Sequence, residues 1–211
     1  MKMTSLACCL ALMAFAAGCD DDPASPSRRM VLDQQNLLEG ALGGQGIGRF
    51  SDINGAPDPA GTSYDFQDAQ TFIAGVSGEL KRIKLPIRNL YGATEPVELQ
   101  IRSVLAGVPD GDDGLVLGAV SVPADSMQGV DTADPATWVC FELGSLDLQV
   151  TAGQVYSYAV RTLDTNGYNY PPELTETYTG GGGFRRNRAL TATWSPMADR
   201  DFGFQVWVAT D

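Results

Sequence analysis

From Val31 onward the apolar residues of this chain recur at every second position in short runs, and glycine, proline, asparagine and aspartate separate the runs. Period two puts alternate side chains on one face of a strand, whereas a helix needs a recurrence near every third or fourth position sustained over several turns. Ile83, Leu85 and Ile87 alternate with Lys84 and Pro86, and Val97, Leu99 and Ile101 alternate with Glu98 and Gln100. Leu80 is out of phase with Ile83, which calls for a bulge near Lys81 and Arg82 to restore the inward direction. Further runs cover residues 115–122, 138–143, 155–163, 190–194 and 202–209, with turn signals between them. The Asn166-Gly167 pair suits a tight hairpin, because both residues tolerate positive φ. No stretch keeps a helical period long enough for a stable helix. The pattern predicts an all-β chain, an antiparallel β-sandwich of jelly-roll-like character with about seven to nine strands.

The N-terminal end obeys different rules. Lys2 precedes an apolar run over residues 6–17 that is too short to span a bilayer as a mature helix, the pattern of a signal peptide. The run ends in Ala16-Ala17-Gly18-Cys19, which resembles the bacterial lipobox, although Ala16 stands where Leu is more usual. That resemblance implies a diacylglycerol and a palmitate-type acyl chain on Cys19, which becomes the first mature residue. Residues 20–29, with Asp20-Asp21-Asp22, Pro and Ser, lack the apolar surface to fold and form a tether. The expected organisation is a leader over residues 1–18, a lipidated cysteine and acidic tether over 19–30, and one β-sandwich domain over 31–211. The expected location is a membrane-anchored lipoprotein facing the periplasm or the cell surface. Cys8 and Cys9 leave with the leader, so Cys140 is expected to remain as a core-packed thiol with no intramolecular disulfide.

Several function classes are disfavoured by composition. A formal charge of -12 repels phosphate backbones, so no nucleic-acid partner is expected. The chain has no histidine, which removes Ser-His-Asp and Cys-His catalysis and imidazole-ligated metals. We therefore expect a protein that is not an enzyme. A carboxylate-dependent hydrolase, built on Glu173 and Glu176 or on Glu142 and Asp147, is the least favoured alternative. The glycine runs 43–48 and 180–183 lack the contexts of nucleotide loops and are expected to be flexible connections.

Two constellations remain as candidate sites. Asp110, Asp112 and Asp113 concentrate carboxylates in a turn, which suits a structural Ca2+ ion, although a solvated hairpin turn explains them as well. No other cofactor is expected. The aromatic residues offer the second site. Phe202, Phe204, Val206 and Val208 fill one face of the last strand and leave Trp207 on the other face with Gln205, while Tyr168-Asn169-Tyr170 follows the Asn166-Gly167 turn. Aromatic faces beside amides suit stacking on sugar rings, so Trp207, Gln205, Tyr168, Asn169 and Tyr170 are the candidate ligand-binding residues.

The runs Leu32-Asp33-Gln34-Gln35, Gln70-Thr71-Phe72-Ile73-Ala74-Gly75 with Ser77-Gly78-Glu79-Leu80, and the ending Asp201-Phe202-Gly203-Phe204-Gln205-Val206 carry a wider likeness. So do Gly107-Val108-Pro109 with Leu115-Val116-Leu117-Gly118, and residues 148–158. Together they resemble secreted bacterial jelly-roll domains of the galactose-binding-like and carbohydrate-binding accessory kind, in which residues 70–80 open the first main hairpin. The resemblance implies a monomeric, non-catalytic surface binding module with carbohydrate as the leading ligand class. A structural or adhesion envelope lipoprotein without a small ligand is the alternative.

Overall fold

The inward residues of the alternating runs have one destination, the space between two antiparallel sheets. The computed structural model describes residues 28–38, 46–50, 64–89, 92–111, 115–164, 166–173, 178–191 and 193–211. Eight of the described strands frame the sandwich, with shorter ones added at its edges: β1 (Arg29–Asn36), β2 (Tyr64–Ile73), β3 (Gly78–Leu85), β4 (Val97–Arg102), β5 (Val116–Val122), β6 (Val139–Glu142), β7 (Val155–Thr162) and β8 (Phe204–Thr210). The first sheet runs β1-β8-β3-β6 and the second β2-β7-β4-β5, every pair antiparallel. First pairs with last, second with seventh, third with sixth and fourth with fifth, which is a long hairpin rolled into a jelly roll. Among the described residues no helix is long and apolar enough to cross a membrane.

The alternation in β3 and β4 is realised as expected. Ile83, Leu85, Val97 and Leu99 are fully buried, and each such side chain contributes on the order of 1.5–3 kcal/mol by leaving water. The bulge also falls where it was expected: Trp207 faces Arg82 and Val208 faces Leu80, so Lys81 is the extra residue. A second bulge lies at Asp33, between Leu32 opposite Trp207 and Gln34 opposite Val206. The Asp33 carboxylate accepts from the N–H groups of Gly75 and Val76 at 2.9–3.1 Å.

Phe204 ties the two layers together. Its ring meets Tyr178 edge-on at 5.0 Å, Tyr158 at 5.8 Å and Phe72 at 6.4 Å between centroids. The core also contains polar side chains on β2, a strand the apolar pattern does not announce. Asp68 and Gln70 are fully buried on the same side of β2 as Phe72. Arg185 grips both oxygens of Asp68 at 2.6 and 2.7 Å, while Gln70 donates to Asp201 at 2.9 Å. Burial pushes the Asp68 carboxyl above its ordinary range and Arg185 pulls it back; two short bonds from one guanidinium make it an ion pair.

Four expectations need correction. Residues 70–80 do not form a hairpin, because β2 pairs with β7 and β3 with β8, so the chain crosses from one sheet to the other there. Gly46–Phe50 is a strand on the edge of β2 rather than a loop. The 180–183 run is a tight fit: Thr71 N donates to Gly182 O at 3.0 Å, and a Cβ on Gly181 would stand 2.0 Å from the Thr71 carbonyl oxygen. The described residues of 190–194 are not in a strand; Leu190 is exposed, and Trp194 is buried against Ala69, Ala159 and Phe184 on the outer face of the second sheet.

The Asn166-Gly167 turn does not close a two-residue hairpin either. Tyr168–Asn169 pairs with Ile47 and Gly46 instead of returning along β7, and Gly167 takes its positive φ of 69° beside an Asp164 clamp. Asp164 accepts from the backbone N–H groups of Thr94, Glu95 and Asn166. Burial raises its pKa, but the backbone donors outweigh that and hold it below the ordinary carboxylate value. The stability this depressed value contributes is present above the unfolded pKa and is lost as pH falls through the folded one. Asp164→Asn is expected to cost about 1–2 kcal/mol at pH 7, and its difference from wild type should shrink well below pH 4 in urea denaturation. An equal difference at both pH values would contradict a charge-dependent clamp.

Candidate functional site

The outer faces of the two sheets differ. On the second sheet, Phe184, Trp194 and Val108 pack over Ala69 and Ala159, and two buried arginines complete the cover. Arg102 donates to Gln100 and to the Asp110 carbonyl, and Arg186 donates to Gln67 and to the Gly111 carbonyl while lying 4.5 Å over the Trp194 ring. Two guanidiniums thus converge on the backbone of the aspartate turn.

Of the three residues of the Ca2+ reading only Asp110 is described, and its backbone carbonyl accepts from Arg102 and from the Trp194 indole. Asp112 and Asp113 themselves lie outside the described residues.

The first sheet instead keeps half-buried and exposed polar side chains on its outer face. Because cross-strand partners share a face, the register puts Leu32, Trp207, Arg82 and Glu142 in one row across β1, β8, β3 and β6. Gln35, Gln205, Lys84 and Cys140 form the next row. Gln205 donates to Gln35 at 3.3 Å, and Arg82 lies 3.4 Å from Glu142. The Trp207 indole is half-buried on this face, opposite the buried stripe of Phe204, Val206 and Val208, and its Nε1 has no hydrogen-bond partner among the described residues. The face assigned to Trp207 and Gln205 by alternation is therefore the observed one.

The other three candidates are not part of it. Tyr168 and Tyr170 are fully buried and Asn169 nearly so. Tyr168 donates to the Glu95 carbonyl, and its phenol is pushed up to about 12 by burial and by the nearby Asp164 and Glu95 charges. Tyr170 donates to the Gly203 carbonyl at 3.1 Å and lies 2.8 Å from the Tyr158 hydroxyl; burial raises both phenols well above their ordinary value. Asn169 exchanges backbone hydrogen bonds with Arg88, and its side chain accepts from the Arg88 guanidinium at 2.8 Å. These residues hold the core and cannot offer a flat surface to a ligand, which corrects the expectation of an exposed loop.

Glu142 and Asp147 are both exposed, and Glu142 engages Arg82; the Glu173 side chain and Glu176 lie outside the described residues. In the full, unprocessed chain Cys140 is disulfide-bonded, and the other three cysteines all lie outside the described residues; the expectation of a remaining thiol concerns the processed chain. Comparison of the sequence with protein-family profiles and with curated proteins finds no match. The functional reading therefore rests on the geometry of the first sheet's outer face.

Proposed function

We propose that this chain is a non-catalytic binding module of the cell envelope, exported and held to a membrane through a lipid on Cys19, with glycan as its ligand class. The observation that carries the reading is Trp207, an aromatic side chain left partly open on a sheet face, its indole nitrogen turned into the protein, with Gln205 and Gln35 in the adjoining row. An indole flank stacks on the C–H face of a sugar ring, and neighbouring amides bond its hydroxyls. The net charge of -12 favours a neutral polysaccharide over an anionic one. The burial of Tyr168 and Tyr170 favours a second reading, a structural envelope protein, because it removes two of the three expected aromatic residues.

Calorimetry against hits from a glycan array separates the two. Trp207→Ala is expected to weaken binding at least about ten-fold while Trp207→Phe retains most of it, since one aromatic contact is worth roughly 1–3 kcal/mol. Absence of any glycan ligand, or equal affinity in the Ala and Phe variants, would favour the structural role.

The anchor has its own test. A sulfur that carries lipid as a thioether has none left for a disulfide, so acylation of Cys19 and a Cys19–Cys140 bond exclude each other. In a bacterial host, Cys19→Ala is expected to abolish incorporation of a fatty-acid analogue, and the labelled wild-type protein should titrate one free thiol. Unchanged labelling in the variant, or an unlabelled mature chain with no free thiol, would contradict the anchor.

A further inference from the structure

One side of the sandwich is open between the sheets. There β5 is the last strand of the second sheet and β6 borders the first, and the chain joins them through short 3-10 turns at Ala124–Met127 and Pro135–Thr137. Between these elements lies a cleft of about 570 Å³, within the range of small-molecule sites.

Its lining is segregated by chemistry. Val120 and Val122, turned inward on β5, together with Pro123, Ala136, Trp138 and Val139 form an apolar wall. Trp138 is buried and already donates its indole N–H to the Thr132 carbonyl, so it offers the ligand only carbon. Of the other polar lining residues, Thr137 spends its hydroxyl on the Asp131 and Asp134 carbonyls and Cys140 is disulfide-bonded, which leaves Lys84, Ser121 and Ser126, whose side chains have no hydrogen-bond or ion-pair partner among the described residues. Glu142 also lines the cleft, but its carboxylate lies against Arg82 at 3.4 Å, so their charges offset. The Lys84 ammonium is the net charge left at this mouth.

We propose that this cleft binds an amphiphilic monocarboxylate, a medium-chain fatty acid or its like, with the acyl chain on the valine wall and the carboxylate at Lys84. A carboxylate supplies the charge that Lys84 lacks and accepts from the two serine hydroxyls. An alkyl chain gains from each methylene it removes from water along Val120, Val122 and Val139. A neutral sugar would leave Lys84 unpaired and set hydroxyls against that wall; Lys84 stands opposite Gln205, so the cleft adjoins the Trp207 face, but its ligand class differs and its binding is read separately from that of a glycan.

The experiment titrates the full chain with decanoate, below its micelle concentration, and with decan-1-ol, by calorimetry. Wild type is expected to bind decanoate more tightly than decanol. Lys84→Gln should weaken decanoate about five-fold or more, allowing for a partly solvated charge, and leave decanol unchanged. Ala136→Trp, at an exposed turn position on the cleft, should abolish binding of both without changing the melting temperature. No decanoate binding by wild type, equal affinity in Lys84→Gln, or undiminished binding in Ala136→Trp would overturn the proposal.

Discussion

The last strand of the chain is the piece on which the others depend. β8 lies between β1 and β3, so without it the first sheet separates into an isolated strand and a remnant. Its Phe204 ring contacts Phe72, Tyr158 and Tyr178, which come from three other parts of the sequence, and so joins both layers of the core. Contacts of this kind are non-local, and a fold that closes through its final strand pays loop-closure entropy before it gains them. The two bulges flanking β8, at Asp33 and Lys81, keep both neighbouring strands in phase with it. The same phasing that sends Phe204, Val206 and Val208 inward sends Gln205 and Trp207 outward, so core and candidate site are two consequences of one register.

The sequence revealed those parts of the fold in which the physics is local. In β3, β4 and β8 the fully buried inward positions, such as Ile83, Leu99 and Val206, are apolar, and period two alone gave their faces, including the side on which Trp207 lies. β2 was hidden because Asp68 and Gln70 point inward, and their partners Arg185 and Asp201 are 117 and 131 residues away. A buried ion pair leaves no periodic signal on either strand. Trp194 misled in the opposite way: a buried tryptophan suggested a strand, but it covers a sheet rather than joining one.

Tyr168, Asn169 and Tyr170 failed for a related reason. A segment just after an Asn-Gly turn is commonly exposed, but this one pairs with Gly46–Phe50 and with Arg88, elements more than 80 residues earlier. Local turn chemistry was correctly located while its tertiary surroundings were not. The aspartate turn is also held from a distance, since the arginines that reach its carbonyls come from β4 and from Gly183–Asn187. Trp207 and Gln205 lie on the face that alternation gives them, because that face follows from position within a single strand.

The central claim is that Trp207 is the accessible tryptophan of the described structure and lies on an open sheet face. Trp138 and Trp194 are each 4% exposed, whereas Trp207 is half-buried. Acrylamide quenching of intrinsic fluorescence tests this directly. The account predicts a quenchable fraction in the wild-type protein that disappears in Trp207→Phe, with the remaining emission shielded. A quenchable fraction that persists unchanged in Trp207→Phe would mean that the accessible indole is elsewhere, and the first sheet's outer face would lose its claim as the binding surface.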